Sequence, residues 1–326
     1  MRYLVTGGAG YIGSNLVDAL LDKGDDVLVL DDLSTGKREN LDHLDDNSNF
    51  SFVEGSILDD TLVKELISDS DAVYHLAARL TVKWVHEHPL DTLRVNVQGT
   101  EIVLNHCSSQ EKRVVLASSS EVYGISDQRP FREDGPRVLG PTDIPRWSYA
   151  TAKALDEHLA FGYAIDGGLQ FTAVRYFNSY GPRVDEDGYG SVIARFIQRA
   201  LAGALIEIYD SGEQARTFTY IDDTVAGTIA AMEKDEAVGQ VFNIGSQFEI
   251  NIKSLAELIR DLTGSSSEIT HKTYEEVFGK NFSDVQHRMP DISKAKELLG
   301  FEAGIDLESG LKRTIEWAKK NYNSGN

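Results

Sequence analysis

The segment "YLVTGGAGYIGSNLVDALL", Tyr3 to Leu21, constrains the fold more than any other part of the chain. A short apolar run with β character passes into a turn that carries Gly7, Gly8, Gly10 and Gly13, and a helical pattern opens on the far side. Glycines there permit a tight strand-to-helix turn and let an anion approach the helix N-terminus, where free N–H groups and the helix dipole favour negative charge. The next strand pattern, "DVLVLDD", ends on Asp31, 24 positions after Gly7. An acidic side chain at that place accepts hydrogen bonds from the hydroxyls of an adenosine ribose and repels a 2′-phosphate. The spacing therefore predicts a nucleotide-binding βαβ unit that takes NAD rather than NADP.

The alternation continues. Strand-like runs "FSFVEGS", "AVYHLAA", "RVVLASSS" and "QFTAVRYFN" are separated by helical patterns in "TLVKELISD", in the stretch from Asp91 to Ser108 and in "YATAKALDEHLAFGYAI". That order predicts an α/β fold with a Rossmann-type, doubly wound parallel sheet. After Asn178 the character changes: Gly, Pro and charged residues dominate Gly181 to Gly190, and the later helices are not separated by regular strands. An NAD-binding domain is expected over residues 1–178, joined by returning elements near 217–245. A smaller C-terminal α/β substrate-binding lobe is expected over 179–216 and 246–326.

Composition narrows the partners. The chain has 326 residues, 41% hydrophobic, with 52 acidic against 32 basic residues and a net charge of -20. Such a surface argues against nucleic acid or an anionic membrane as partner, while leaving room for an anionic small molecule where a few arginines converge. Met1 runs almost at once into "RYLVTG", which is no signal peptide, and no apolar run approaches a membrane span, so a cytoplasmic protein is expected. Cys107 is the only cysteine, and His86 and His88 in "HEHP" alternate instead of falling at i, i+4, so no metal site is expected.

The chemical end of the site lies in two further stretches. "SYATAK" sets Tyr149 and Lys153 one helical turn apart on one face. A neighbouring ammonium together with the positive nicotinamide ring of a bound cofactor can lower a tyrosine's pKa, so Tyr149 is expected to serve as a base at neutral pH. "ASSSEVYG", Ala117 to Gly124, brings three serines and a glutamate directly after a buried strand. Tyr123 and Trp147 are taken as packing residues.

Together, Gly7-x-x-Gly10-x-x-Gly13, Asp31, "HLAA" at 75–78, Asn96, the Ser-rich strand end, Tyr149-x-x-x-Lys153 and "RYFNSYGPR" resemble the extended short-chain dehydrogenase/reductases that modify nucleotide sugars. The resemblance spans nearly the whole chain. It implies a tightly held NAD contacted by Gly7, Gly10, Tyr11, Ile12, Gly13, Asp31, Asp32, Ser56, Ile57, Leu76, Ala77, Ala78, Asn96, Tyr149 and Lys153, and a homodimer. Many relatives carry Asp where this chain has Ser56, which implies one weaker contact to adenine. Ser119 matches the catalytic Ser or Thr of the family, and Ser120-Glu121 resembles the pair in UDP-glucuronate decarboxylases and in GDP-mannose dehydratases. "LGPTDIPRWSYATAK" and "DVQHRMPDISKAKELLGF" resemble the decarboxylase domain of the bacterial enzyme that prepares aminoarabinose for lipid A, which puts Arg288 at a catalytic arginine. By the same resemblance, Asn178 and Arg216 are matched to the substrate diphosphate and Tyr209 to its base.

The resemblance implies oxidation of a sugar at C4, and UDP-glucuronate decarboxylation is the reading that follows best. A 4-ketone makes the C6 carboxylate a β-keto acid, which loses CO2 into the ketone. Glu121 raises a difficulty, because an ionised glutamate repels a substrate carboxylate unless it is protonated or Arg288 compensates. A 4-epimerase of UDP-hexose or UDP-hexuronic acid and a 4,6-dehydratase are the alternatives within the family. A non-catalytic NAD-binding sensor is the alternative outside enzymology.

Overall fold

Seven strands form one parallel sheet: β1 (Arg2–Thr6), β2 (Asp26–Asp31), β3 (Phe50–Glu54), β4 (Ala72–His75), β5 (Arg113–Ser119), β6 (Phe171–Tyr176) and β7 (Gln240–Ile244), in the order β7-β6-β5-β4-β1-β2-β3. The computed structural model describes residues 1–80, 84, 87–184, 191–278 and 287–322. His86, most of the Gly181–Gly190 stretch and the first three residues of "DVQHRMPDI" therefore lie outside the described residues.

Both faces of the sheet are buried, and the two-residue strand period decides which side chain serves which face. Tyr3, Val5, Val27 and Val29 join the core beneath α1 (Tyr11–Asp22), whereas Leu4, Leu28 and Leu30 join the core beneath α2 (Asp60–Ser68), α3 (Thr100–Ser109) and α4 (Arg146–Gly167). The first core also takes Ile193, Phe196 and Ile197 of α5 (Val192–Leu201), Val225 and Ile229 of α6 (Ile221–Glu233), and Leu255 and Ile259 of α7 (Ile252–Thr263). This is the doubly wound parallel sheet that the alternating pattern predicts.

Two segments differ from expectation. The stretch from Asp91 to Ser108 is not one helix: a short helix, Pro89–Leu93, passes through a π turn, Arg94–Gly99, before α3 begins. That turn carries the fully buried Asn96 and brings Gly99 so close to Ile57 that an added Cβ would lie 2.4 Å from its Cδ1. The later part of the chain does contain strands. Ile206–Tyr209 pairs in parallel with Ile269–Lys272, and Ala215–Thr217 pairs antiparallel with Glu249–Asn251. At three or four residues each, and paired across long gaps in sequence, they leave no periodicity to read.

Candidate active site

The carboxyl ends of β1, β2, β4 and β5 carry Thr6, Asp31, His75 and Ser119, and the crevice outside those ends is where a doubly wound sheet holds its ligand. Gly7 has φ +72°, and a Cβ on it would lie 2.7 Å from the Ala77 nitrogen; a Cβ on Gly13 would lie 2.1 Å from the Gly7 carbonyl oxygen. Gly10 caps α1 without a side-chain hydrogen bond, and no acidic residue stands in the first turn. The positive end of α1, which carries Tyr11 and Ile12, is thus left to an outside anion, which fits a dinucleotide pyrophosphate.

Asp31 is 7% exposed, and its two carboxylate oxygens accept from the backbone N–H groups of Ala9 and Leu33, each at 2.9 Å. Burial raises its pKa, and those two hydrogen bonds oppose the rise. Each oxygen keeps a further lone pair for a ribose hydroxyl. Asp32 is instead engaged by Arg79. The Leu76 N–H donates to the Thr6 carbonyl at 3.0 Å and the Ala77 N–H to the Thr6 hydroxyl at 3.3 Å, which lays the 76–78 segment against the glycine turn. Ser56 accepts from the Leu58 N–H at 3.2 Å beside the buried Ile57. The amide of Asn96 is spent on the backbone of Arg79, accepting from its N–H at 2.7 Å and donating to its carbonyl at 2.9 Å.

At the other end, Ser119 closes β5 and accepts from the Glu121 N–H at 3.2 Å, so it caps the tight turn Ser120–Tyr123 and aims Glu121 out of the strand end. Ser120 is 3% exposed. Tyr149 sits in the first turn of α4, and Lys153 follows one turn later. Lys153 is 2% exposed and donates to Asp156 at 3.2 Å. Burial pushes the Asp156 carboxyl up to about 6 even with Lys153 beside it. His75 lies between the Thr6 hydroxyl at 2.7 Å and the Thr100 hydroxyl at 3.0 Å; burial and the charge of Lys153 push it down to about 3, so it is neutral.

Before any nicotinamide charge is added, the Tyr149 phenol sits above the ordinary tyrosine value. Burial and the Glu121 carboxylate push the phenol up, and the Ser119 hydroxyl opposes them only in part. The Lys153 ammonium donates to Asp156, and the charge of Asp156 adds a smaller part of the rise.

Glu121 and Arg288, 167 positions apart, meet at 2.7 Å, with Arg288 only 6% exposed. The segment bearing Arg288 is held by a hydrogen bond from the Thr217 hydroxyl to its carbonyl at 3.3 Å, and by paired bonds at 2.8 Å from the Phe131 N–H to the Met289 carbonyl and from the Asp291 N–H to the Phe131 carbonyl. Behind the turn that carries Glu121, Tyr123 is more than packing. Its hydroxyl accepts from Arg175 at 2.8 Å and donates to Asn243 at 2.7 Å, while Arg175 grips both oxygens of Glu157 at 2.9 and 2.6 Å. Trp147 is buried as expected.

The strand Ala215–Thr217 supports the matched substrate residues. Asn178, at φ +40°, donates to the Thr217 carbonyl at 2.8 Å, and Arg216, 8% exposed, donates to the Ala215 carbonyl at 2.8 Å. Tyr209 lies under Arg195, whose guanidinium is 4.2 Å from the ring centroid and hydrogen-bonds the hydroxyl. Gln214 ties the Tyr209 carbonyl to the Tyr274 hydroxyl at 3.0 and 3.1 Å. Asp156, Arg79 and Arg195 are the residues that reading the sequence misses. Asp156 falls one turn beyond Lys153 and Arg79 directly follows "HLAA", so spacing alone was a usable signal for two of them.

A cavity of about 530 Å³, lined by Tyr123, Ser126, Arg129, Phe131, Arg132 and Asp291 among others, opens behind that turn; Ser119, Tyr149 and Lys153 do not line it. Among the described residues no group of three or more His, Cys, Asp or Glu is placed to hold a metal ion, and no helix is long and apolar enough to cross a membrane.

The chain is 42% identical over 319 residues to a UDP-N-acetyl-alpha-D-glucosaminuronate decarboxylase of Bacillus cytotoxicus, covering 98% of each chain. It is 36% identical over 319 residues to UDP-glucuronic acid decarboxylase 1 of Xenopus tropicalis, covering 98% of this chain and 72% of that one. Among solved structures, UDP-glucuronic acid 4-epimerase from Bacillus cereus, in complex with UDP-glucuronic acid and NAD, superposes with a TM-score of 0.88 at 30% identity, covering 99% of this chain and 100% of that one. The family model described as GDP-mannose 4,6 dehydratase matches residues 4–314, and with a relative this similar over its full length the chain belongs to that family of nucleotide-sugar enzymes within the extended short-chain dehydrogenase/reductases.

Proposed function

We propose that this chain decarboxylates a UDP-linked hexuronic acid through a 4-keto sugar, using NAD held on the Gly7–Gly13 turn and Asp31. The observation that carries the reading is the 2.7 Å pair between Glu121 and the nearly buried Arg288. A lone glutamate beside Tyr149 would repel a substrate carboxylate, whereas a glutamate already matched by a guanidinium leaves room for a second carboxylate to share that cation. The named decarboxylase activity of the two relatives supports the same reading.

In this reading Ser119 hydrogen-bonds the C4 hydroxyl and Tyr149 takes its proton, its phenol being brought down by Lys153 together with the positive nicotinamide of bound NAD. NAD bound in the crevice supplies the hydride acceptor for C4. The product is a β-keto acid: the C5–C6 bond breaks, CO2 leaves, and the electron pair moves into the C4 carbonyl as an enolate that takes a proton at C5. We assign Arg288 to the C6 carboxylate, and Glu121 to relaying to C5 a proton taken from water. Asn178 and Arg216 serve the diphosphate, and Tyr209 with Arg195 serves the base. Leu155, Phe161 and Ile165 are exposed along α4 and support a homodimer.

Separate incubations with UDP-glucuronate, UDP-N-acetylglucosaminuronate and UDP-glucose test the reading through product masses. Loss of CO2 from either uronate is expected. Unchanged mass with altered C4 configuration would establish an epimerase instead, and loss of water a dehydratase.

A further inference from the structure

Arg79 takes no part in the chemistry above, yet it is one of the most constrained cations in the molecule. Its backbone is clamped on both sides by Asn96, and its side chain is 12% exposed. The guanidinium grips both oxygens of Asp32, Nη2 at 3.0 Å and Nη1 at 3.4 Å, and also bonds the Ser34 hydroxyl. Its Nε stands 3.4 Å from Asp91, and its central carbon lies 5.9 Å from the Trp84 ring centroid.

The sheet order gives this pair its meaning. Arg79 follows β4 and Asp32 follows β2, and β1 lies between those two strands. Neighbouring strands are spaced by about 4.8 Å, so a link from the end of β4 to the end of β2 spans roughly 10 Å and passes across the carboxyl end of β1. That end opens into the Gly7–Gly13 turn, so the ion pair bridges the crevice where the dinucleotide pyrophosphate is placed. Charge argues the same way. Asp31 and Asp32 stand side by side in a chain of net charge -20, and a pyrophosphate adds further negative charge, which a bidentate guanidinium offsets.

We infer that Arg79 and Asp32 form an ionic strap that closes over the bound dinucleotide and slows its release. The inference rests on the reading that the glycine turn holds NAD. Its test is independent of sugar chemistry: protein loaded with NADH is mixed with excess NAD, and the loss of bound nicotinamide fluorescence is followed for wild type, Arg79→Ala, Arg79→Lys, Asp32→Asn and the Arg79→Ala/Asp32→Asn double variant. Each single variant is expected to release NADH at least tenfold faster, the double variant no faster than the quicker single one, and added salt to accelerate wild type alone. Lysine keeps the charge and the stem without the fork, so Arg79→Lys is expected to release faster while folding normally. Wild-type rates in the single variants, or effects that simply add in the double, would overturn the strap while leaving the cofactor assignment intact. Failure of the wild type to bind NADH at all would overturn both.

Discussion

The two ends of the crevice are built by different means. At the nucleotide end, the turn is made of backbone: Gly7 and Gly13 allow the chain to fold on itself, Gly10 leaves the helix terminus open, and Asp31 is fixed by two N–H groups from nearby residues. At the chemical end, the functional atoms belong to side chains brought from remote segments, and they hold one another by charge: Glu121 with Arg288, Lys153 with Asp156. A backbone-built turn leaves few side chains whose loss matters, Asp31 foremost. A site built from paired charges changes the pKa of one member whenever another is altered.

That contrast predicts graded failures. The largest loss belongs to Tyr149→Phe, which keeps the ring and removes the ionisable oxygen; turnover should fall by roughly two to four orders of magnitude with substrate affinity little changed. Near-normal turnover would move the base elsewhere. Next comes Arg288→Ala, which leaves Glu121 unmatched. CO2 release should fall by about 10- to 1000-fold, more than formation of the 4-ketone, when label release is followed beside the absorbance of reduced cofactor. Equal loss in both steps would assign Arg288 to binding alone.

At the nucleotide end the expected effects are smaller. Asp31→Ala should weaken NAD binding by about tenfold or more, the cost of hydrogen bonds to a charged acceptor, and the wild type should bind NADP poorly. Equal affinity for the two in a direct titration would break the ribose assignment. The smallest effect is a pH dependence. The Asp156 carboxyl titrates at about 6 in the fold, above the usual 3.8, so its stabilising contribution is full below about pH 3.8 and is lost as pH rises through about 6. Asparagine cannot titrate, so the melting-temperature advantage of wild type over Asp156→Asn should shrink from pH 4 to pH 7. A constant difference would mean that Asp156 carries no such strain.

The same contrast explains what the sequence discloses. The sheet, the glycine turn and Asp31 are local in the chain, and their spacing reports their physics directly. The strands Ala215–Thr217 and Ile206–Tyr209 were not legible, because each is three or four residues long and finds its partner far along the chain. Glu121 and Arg288 could be named through family resemblance, but their contact across 167 positions is visible only in the fold. Burial raises the Tyr149 phenol in the fold, and adjacency of Tyr149 and Lys153 on a helix says nothing about the Asp156 carboxylate that the ammonium meets. The pairing of Arg79 is not legible in the sequence because its partner Asp32 follows a strand two places across the sheet.

The central claim, that a guanidinium-matched glutamate makes room for a substrate carboxylate, is tested most directly with UDP-glucuronate and UDP-N-acetylglucosaminuronate carrying label at C6, incubated with the NAD-loaded protein. The account predicts labelled CO2 from at least one of them, in proportion to sugar consumed. Interconversion of C4 epimers with all label retained on the sugar would contradict it.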